Sequence, residues 1–163
     1  MTLFNGTYVQ NFDAKGRVSI PAPFRAALRA GAVNIAPAGE GPVSIPLVLR
    51  PSEKVQCIEA LTEAKHQAQL AELEKLDPLS EDYDELALML FADAFPIETD
   101  KEGRIIPQDM LLSHAGISRD GSVAFVGMGT RFQLWHPDNV AAHKASAQAA
   151  YRARMARRRE LAA

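Results

Sequence analysis

Cysteine is nearly absent from this chain. Cys57 stands alone among 163 residues, which excludes an internal disulfide and any metal centre built on several thiolates, and fits a reducing compartment. No leader is expected either: the opening MTLFNGTYVQNFDAKG has neither a basic segment nor an apolar core, so a soluble cytoplasmic protein is expected. Long hydrophobic runs are also lacking. The stretch LALMLFADAF (86–95) is too short and too interrupted by acid to span a bilayer, so no membrane partner is expected. Charge of one sign is not in excess: eighteen Lys and Arg face twenty Asp and Glu, a formal net charge of −2. Bulk electrostatics alone therefore does not select nucleic acid. Catalytic signatures are missing as well. His66, His114, His136 and His143 never fall at the i, i+4 spacing of a helical metal site. His136 and His143 could share a helix face, a coincidence more typical of a surface. No glycine-rich phosphate loop, nucleophile elbow or Cys–His pairing is visible, and nothing selects a pair among the many acids. No catalytic residue, metal, cofactor or small-molecule ligand is expected.

What is present begins with enough apolar matter for a core. Hydrophobic residues make up 47% of the chain, and this length suits one moderate domain or two small fused units. An internal repeat decides between them. DAKGR (Asp13 to Arg17) returns eighty-seven positions later as DKEGR (Asp100 to Arg104), followed by Val18 in one copy and Ile105 in the other. Downstream, RAALRAGAV lies near LLSHAGISR, and LVLRPSEKV resembles FQLWHPDNV. The order holds over roughly forty residues and reads as a duplication.

Each unit has the same grammar. A first strand is expected at about Gly6–Phe12 and again on the approach to Glu98–Thr99. It leads into the Asp-x-x-Gly-Arg turn and a second apolar run, which stops at Pro21 or Pro107 because proline cannot donate to a ladder. Short helices follow at Phe24–Ala30 and Met110–Ala115, each ending at a glycine suited to a left-handed cap. Further strands are expected around Val43–Leu49 and Val123–Leu134, with GEGP and GMGT as turns. Phe132 and Trp135 read as core. Between the units, Ser52 reads as the cap of a helix carrying Val55, Ile58, Leu61, Leu70, Leu73 and Leu76 at helical spacing, with Cys57 a buried or half-buried member. A second helix, about Glu81–Ala94, is apolar nearly all round. A last one runs from about Pro137 through an arginine-rich tail. The boundaries are residues 5–51 and 94–137 for the repeats, 52–93 for a helical insertion, and 138–163 for the terminal helix and tail.

The doubled motif carries the chemistry. Asp-x-x-Gly is ordinary turn material: the carboxylate holds nearby amides and glycine supplies positive φ. The arginine is not demanded by the turn. Its planar donor fork suits phosphate or the acceptor edge of guanine, although it could equally pair with the aspartate of its own hairpin. From Asp13 to Arg29 four basic residues face one acid, a net +3, whereas Glu98 to Arg119 nets −1. One end of the molecule is thus friendlier to anions.

DAKGRVSIPAPFRAAL, DKEGRIIPQDMLLSHAGI and the closing FQLWHPDNV together resemble the MraZ family, a two-repeat relative of SpoVT/AbrB-type transcription factors. The resemblance covers about Leu3 to His143. It implies an α+β fold of two swapped-hairpin β-α-β repeats in one pseudo-symmetric barrel, with central and C-terminal helices. It further implies a bacterial, nucleoid-associated regulator that assembles into rings. Such rings bind short tandem repeats of double-stranded DNA upstream of the division and cell-wall gene cluster. By that resemblance Arg17 and Arg104 contact DNA, Lys15 adds phosphate attraction, Gly16 and Gly103 belong to the tips, and Asp13 and Asp100 shape the turns. Arg25 is a supporting candidate on the basic strip, or a solvated helix residue. Two departures stand out. Glu102 replaces Lys15 in the second copy, with Lys101 beside it, and the segment before LVLRP is rich in proline and glycine.

The rival from another class is a ring-forming scaffold without specific DNA binding, to which the apolar helix around Leu86–Phe91 would contribute subunit contacts. That helix reads equally as buried core. The tail, YRARMARRRE, reads as a solvated helix end, where cations suit the dipole, or as an auxiliary nucleic-acid arm.

Overall fold

The computed structural model describes residues 3–32 and 44–163. They form a mixed α+β fold around a large antiparallel sheet. The strands are β1 (Thr7–Asn11), β2 (Val18–Ser19), β3 (Pro46–Pro51), β4 (Ile58–Leu61), β5 (Phe95–Glu98), β6 (Arg104–Ile105), β7 (Ser122–Gly127) and β8 (Phe132–Trp135). The helices are α1 (Ala22–Ala30), α2 (Glu63–Glu74), α3 (Glu81–Ala87, continued by a π-helical turn over Leu88–Ala92), α4 (Asp109–Ala115) and α5 (Pro137–Ala162).

Six strands lie in the order β1-β7-β8-β4-β3-β5, and β2 pairs with β6 apart from them. If β5 is set on β1, β6 on β2, β7 on β3 and β8 on β4, this order reads the same from either end. Each half lends its first strand to the other. Thr7 faces Val126 and Asn11 faces Ser122 across β1 and β7, while Pro46 faces Glu98 across β3 and β5. Among the described residues ladder pairing stops at β1 and β5, and no closed barrel is found. Its two edges are instead joined through the chain. The turn at 13–17 carries β1 into β2, the turn at 100–104 carries β5 into β6, and Val18 pairs with Ile105 between them.

Strand alternation assigns the two faces. Val123 and Phe125 of β7 and Phe132 and Leu134 of β8 join Phe24 and Leu28 of α1 and Leu111 and Leu112 of α4 in the main core. The intervening Ala124, Val126 and Trp135 face a smaller cluster closed by Val140 of α5. Phe24 and Phe132 meet at 5.0 Å between ring centroids, with Phe4 edge-on to Phe24 at 5.5 Å. Phe132 and Trp135 are core, as the sequence leads one to expect.

Residues 52–61 depart from the helical expectation. They form a hairpin, and the helix begins only at Glu63. Ser52 does use its hydroxyl to hold following amides, but those of Lys54 and Val55 in a tight turn, closed by Ser52 N–H to the Cys57 carbonyl at 3.0 Å. The helix cap is Thr62, whose hydroxyl accepts from Lys65 N–H at 3.1 Å. Spacing of three between Val55, Ile58 and Leu61 suits one helix face, and in an extended chain it puts successive residues on opposite faces. Four consecutive buried positions at Ile58–Leu61 match a strand covered on both sides. Cys57 is therefore buried, but in the hairpin and not on a helix.

The two cap glycines also differ. Gly116 is left-handed, with φ 67°, whereas Gly31 has φ −97°. At Gly31 the demand is space, since a Cβ there would lie 2.6 Å from Thr62 Cγ2. The α3 segment buries no residue, and Leu88 and Met89 stand exposed. The buried-core reading of this helix is not met among the described residues of one chain. The GEGP turn and Val43 lie outside the described residues.

Burial, with the nearby Glu59 charge, pushes the Cys57 thiol up to about 12. Native protein at neutral pH should consequently leave Cys57 unmodified by a thiol-specific chromogenic disulfide over hours, and react fully once unfolded in denaturant. Stoichiometric labelling of the folded chain would contradict this placement.

Candidate nucleic-acid interface

The two Asp-x-x-Gly-Arg turns are built alike, bond for bond. In the first, Asp13 N–H donates to the Arg17 carbonyl at 2.8 Å and Gly16 N–H to the Asp13 carbonyl at 3.0 Å. In the second, the matching distances at Asp100, Arg104 and Gly103 are 2.9 and 3.1 Å. Positive φ is required at both glycines, 74° at Gly16 and 79° at Gly103. Each aspartate then accepts three further bonds. Asp13 takes Lys15 N–H and Arg17 N–H on Oδ1 and the Arg17 Nε–H on Oδ2 at 2.7 Å. Asp100 takes Glu102 N–H, Arg104 N–H and the Arg104 Nε–H, again at 2.7 Å.

The arginines thus do pair with the aspartates of their own hairpins. That pairing uses Nε, the donor nearest the chain, and fixes the plane and direction of the guanidinium. Arg17 remains 26% exposed along its side chain and Arg104 27%. The terminal nitrogens of Arg17 have no other protein partner among the described residues. Arg104 differs, because its Nη2 donates to Glu102 at 3.2 Å and its Nη1 comes within 3.9 Å of Asp13 Oδ2. Glu102 therefore occupies part of the second fork, where the first copy offers Lys15. Pairing of β2 with β6 brings both arginines to the rim of one shallow depression, shared with Glu98, Asp100 and Ile106. Lys15 and Gly16 border the adjoining hollow.

Arg25 is placed differently. It is half-buried, its Nη1 donates to the Ile20 carbonyl, and its stem lies over Gly103 of the other repeat. Arg119, a residue that local spacing does not mark, lies correspondingly over Gly16. The readable signal for it was Pro107, which has no N–H to give to the turn it faces. The histidines do not converge. His143 stacks on Trp135 at 4.6 Å and His66 packs against Phe91 at 5.1 Å. Among the described residues no group of three or more His, Cys, Asp or Glu is arranged to hold a metal. Nor is any helix among them long and apolar enough to cross a membrane.

Hydrogen bonds set the titration of the turns. The Arg17 backbone amide, followed by its side chain, holds Asp13 below the usual carboxylate value. At Asp100 burial pushes upward, and the backbone and side-chain bonds from Arg104 outweigh it. A carboxylate depressed in the folded state contributes stability above its unfolded value, 3.8. That contribution is lost as pH falls through the lower folded value. Amide shifts of Arg17 and Arg104 followed by NMR should accordingly stay constant from pH 7 to about 5 and move only in the acid range below the unfolded carboxylate value. Movement centred near neutrality would refute the assigned bonds.

Comparisons with known proteins agree on one family. Residues 3–37 match the family model described as "MraZ protein, putative antitoxin-like". A relative from Gluconacetobacter diazotrophicus named transcriptional regulator MraZ is 47% identical over 94% of this chain and 90% of its own length. One of the same name from Gluconobacter oxydans is 41% identical over 100% of this chain and 93% of its own. Another from Rickettsia bellii is 36% identical over 91% of each.

Proposed function

The chain belongs to the MraZ family, and from that membership we infer a non-catalytic transcriptional regulator that binds double-stranded DNA through its two Asp-x-x-Gly-Arg tips. The observation that carries this reading is the pair of equivalent arginines, each held at Nε by its own aspartate and presented at the rim of one depression. Such a fork is oriented before it meets an anion, so little side-chain entropy remains to be lost on contact. Arg17 and Arg104 reach phosphate or a groove edge, and Lys15 adds phosphate attraction. Asp13 and Asp100 aim the arginines, with Gly16 and Gly103 forming the turns beneath them.

Two arginines per chain are few for firm binding, and an array of chains supplies the remainder. Linking units raises the effective concentration of each later contact, so weak tips on a ring become strong on DNA boxes repeated at matching intervals. The exposed apolar residues of α3 and its π-helical turn, Leu88 and Met89, favour such assembly. Within this reading, repeats 5–51 and 94–137 form one pseudo-symmetric, barrel-like unit in which the β2–β6 pair bridges the two open sheet edges, the protein works at the nucleoid, and its DNA boxes lie upstream of its own division and cell-wall gene cluster.

The test is binding to DNA from upstream of the protein's own gene across a salt series, beside a shuffled control. Affinity should fall linearly on logarithmic axes as salt rises, and the native sequence should bind tighter than the control. A protein that assembles but shows no affinity for either DNA would sink the reading and leave the scaffold in its place.

A further inference from the structure

The two turns are not braced by equivalent bonds, although the repeat would allow it. Ile20 N–H donates to the Gly103 carbonyl at 3.0 Å, tying the first repeat to the turn of the second. Shifted by the repeat length, the matching bond would run from Pro107 N–H to the Gly16 carbonyl. Proline has no N–H. The Gly16 carbonyl is nevertheless satisfied, because Arg119 Nη1 donates to it at 3.1 Å. The same guanidinium donates through Nη2 to the Pro107 carbonyl and is held by Asp109, with Nε at 3.2 Å and Nη2 at 2.8 Å from Oδ1.

A second guanidinium occupies the mirrored place. Arg25 donates to the Ile20 carbonyl, which is the repeat equivalent of the Pro107 carbonyl. Its stem crosses Gly103 so closely that a Cβ there would overlap Arg25 Cδ and lie 2.8 Å from Nε. A Cβ on Gly16 would lie 3.2 Å from Arg119 Cδ. The two arginines do not descend from one repeated position: Arg25 sits in α1, Arg119 between α4 and β7. Unrelated residues thus reach equivalent carbonyls of their own repeats and cover equivalent glycines of the opposite ones. Mere solvated charge would not produce that coincidence. The geometry also argues against Arg119 as a phosphate contact, since all three of its guanidinium nitrogens already have protein partners.

We propose that Arg119 is a positioning residue that replaces the backbone donor missing at Pro107 and locks the first tip, with Arg25 bracing the second tip from the other side. The consequence for DNA rests on the reading of the tips as DNA contacts; the bracing itself does not. Asymmetry follows. Gly103 keeps its bond from Ile20 when Arg25 is lost, whereas among the described residues Gly16 has no second donor when Arg119 is lost. Arg119 should therefore matter more.

The experiment uses the full chain with Arg119→Ala, Arg119→Lys and Arg25→Ala, read in two ways. Amide hydrogen exchange without DNA should rise about tenfold at Gly16 and Arg17 in Arg119→Ala, an opening of about 1.4 kcal/mol. The rise at Gly103 and Arg104 in Arg25→Ala should be smaller. Affinity for the upstream DNA should fall about tenfold in Arg119→Ala at unchanged salt slope, and Arg119→Ala should add nothing in an Arg17→Ala background. Arg119→Lys keeps the charge but loses the planar fork, so it should not restore binding. Unchanged exchange at the first turn overturns the bracing, whatever happens to DNA. A salt slope reduced by about one, with rescue by lysine, would make Arg119 an ordinary phosphate contact and overturn the positioning role. If Arg17→Ala binds DNA normally while exchange still rises in Arg119→Ala, the DNA reading fails and the brace stands.

Discussion

Protein carrying both Arg17→Ala and Arg104→Ala is expected to bind DNA from upstream of its own gene on the order of a hundredfold more weakly, while unfolding at essentially the wild-type temperature. The loss is expected to come with a shallower salt dependence, by about one unit of slope for each arginine that had neutralised a phosphate. Stability should hardly change, because each aspartate keeps its two backbone amide donors after the guanidinium is gone. The turn is therefore made by Asp and Gly, and the arginine is surplus to it. The single variants should be unequal. The terminal nitrogens of Arg17 have no protein partner among the described residues and Lys15 is nearby, whereas Arg104 shares its fork with Glu102, so Arg17→Ala should carry more of the loss. Equilibrium binding by anisotropy, paired with thermal unfolding, measures both quantities. Retained affinity in the double variant would remove the tips from the interface.

The second large effect concerns stability. Glu59 is 8% exposed and accepts from Arg131 Nε at 2.7 Å and from Gln133 Nε2 at 3.0 Å. Gln133 in turn accepts from the indole of Trp135 at 2.8 Å. Arg50 stands close enough that burial lowers its pKa, the Glu59 charge raises it and the Arg131 charge lowers it further. Removing the carboxylate leaves the charges of Arg50 and Arg131 without the acid that offsets them and the Gln133 amide without its acceptor. Breaking a buried ion pair by deleting one partner costs about 3–5 kcal/mol. Arg131 is 35% exposed and can rehydrate in part, so Glu59→Ala should cost about 3 kcal/mol. Glu59→Gln keeps an acceptor for Gln133 and should cost about half as much. Denaturant unfolding at unchanged m-value reads the difference directly. A loss below about 1 kcal/mol for Glu59→Ala would show that the network contributes no net stability.

Much of this was legible in the residues. The repeated frame located both turns, because Asp, Gly and Arg at fixed spacing do the same local work wherever they occur. Pro21 and Pro107 marked the ends of β2 and β6, for want of an N–H. What misled was chemistry that serves two purposes. Ser52 can cap a helix or close a hairpin, and the helical spacing of Val55, Ile58 and Leu61 is equally open to a strand whose two faces are both buried. Partner choice was not legible in the residues themselves, and only the family resemblance implied swapped hairpins. Nothing local to β1 says that it pairs with β7 in preference to its own neighbours, since swapped and unswapped hairpins expose the same alternation. Arg119 belongs to this second kind. Its meaning depends on a carbonyl 103 positions away, and only the missing donor at Pro107 hinted at a vacancy.

The exchange of first strands also bears on the order of events during synthesis. Asn11 finds its partner at Ser122 and Thr7 at Val126, so β1 leaves the ribosome more than a hundred residues ahead of the strand that completes it. A nascent chain stopped after α3 would hold an unmatched edge, and closing so distant a contact is slow by its nature. The first repeat cannot finish folding as it is made; it must wait for the second. Late truncations, even ones sparing both tips, are therefore expected to strand the amino-terminal half unfolded.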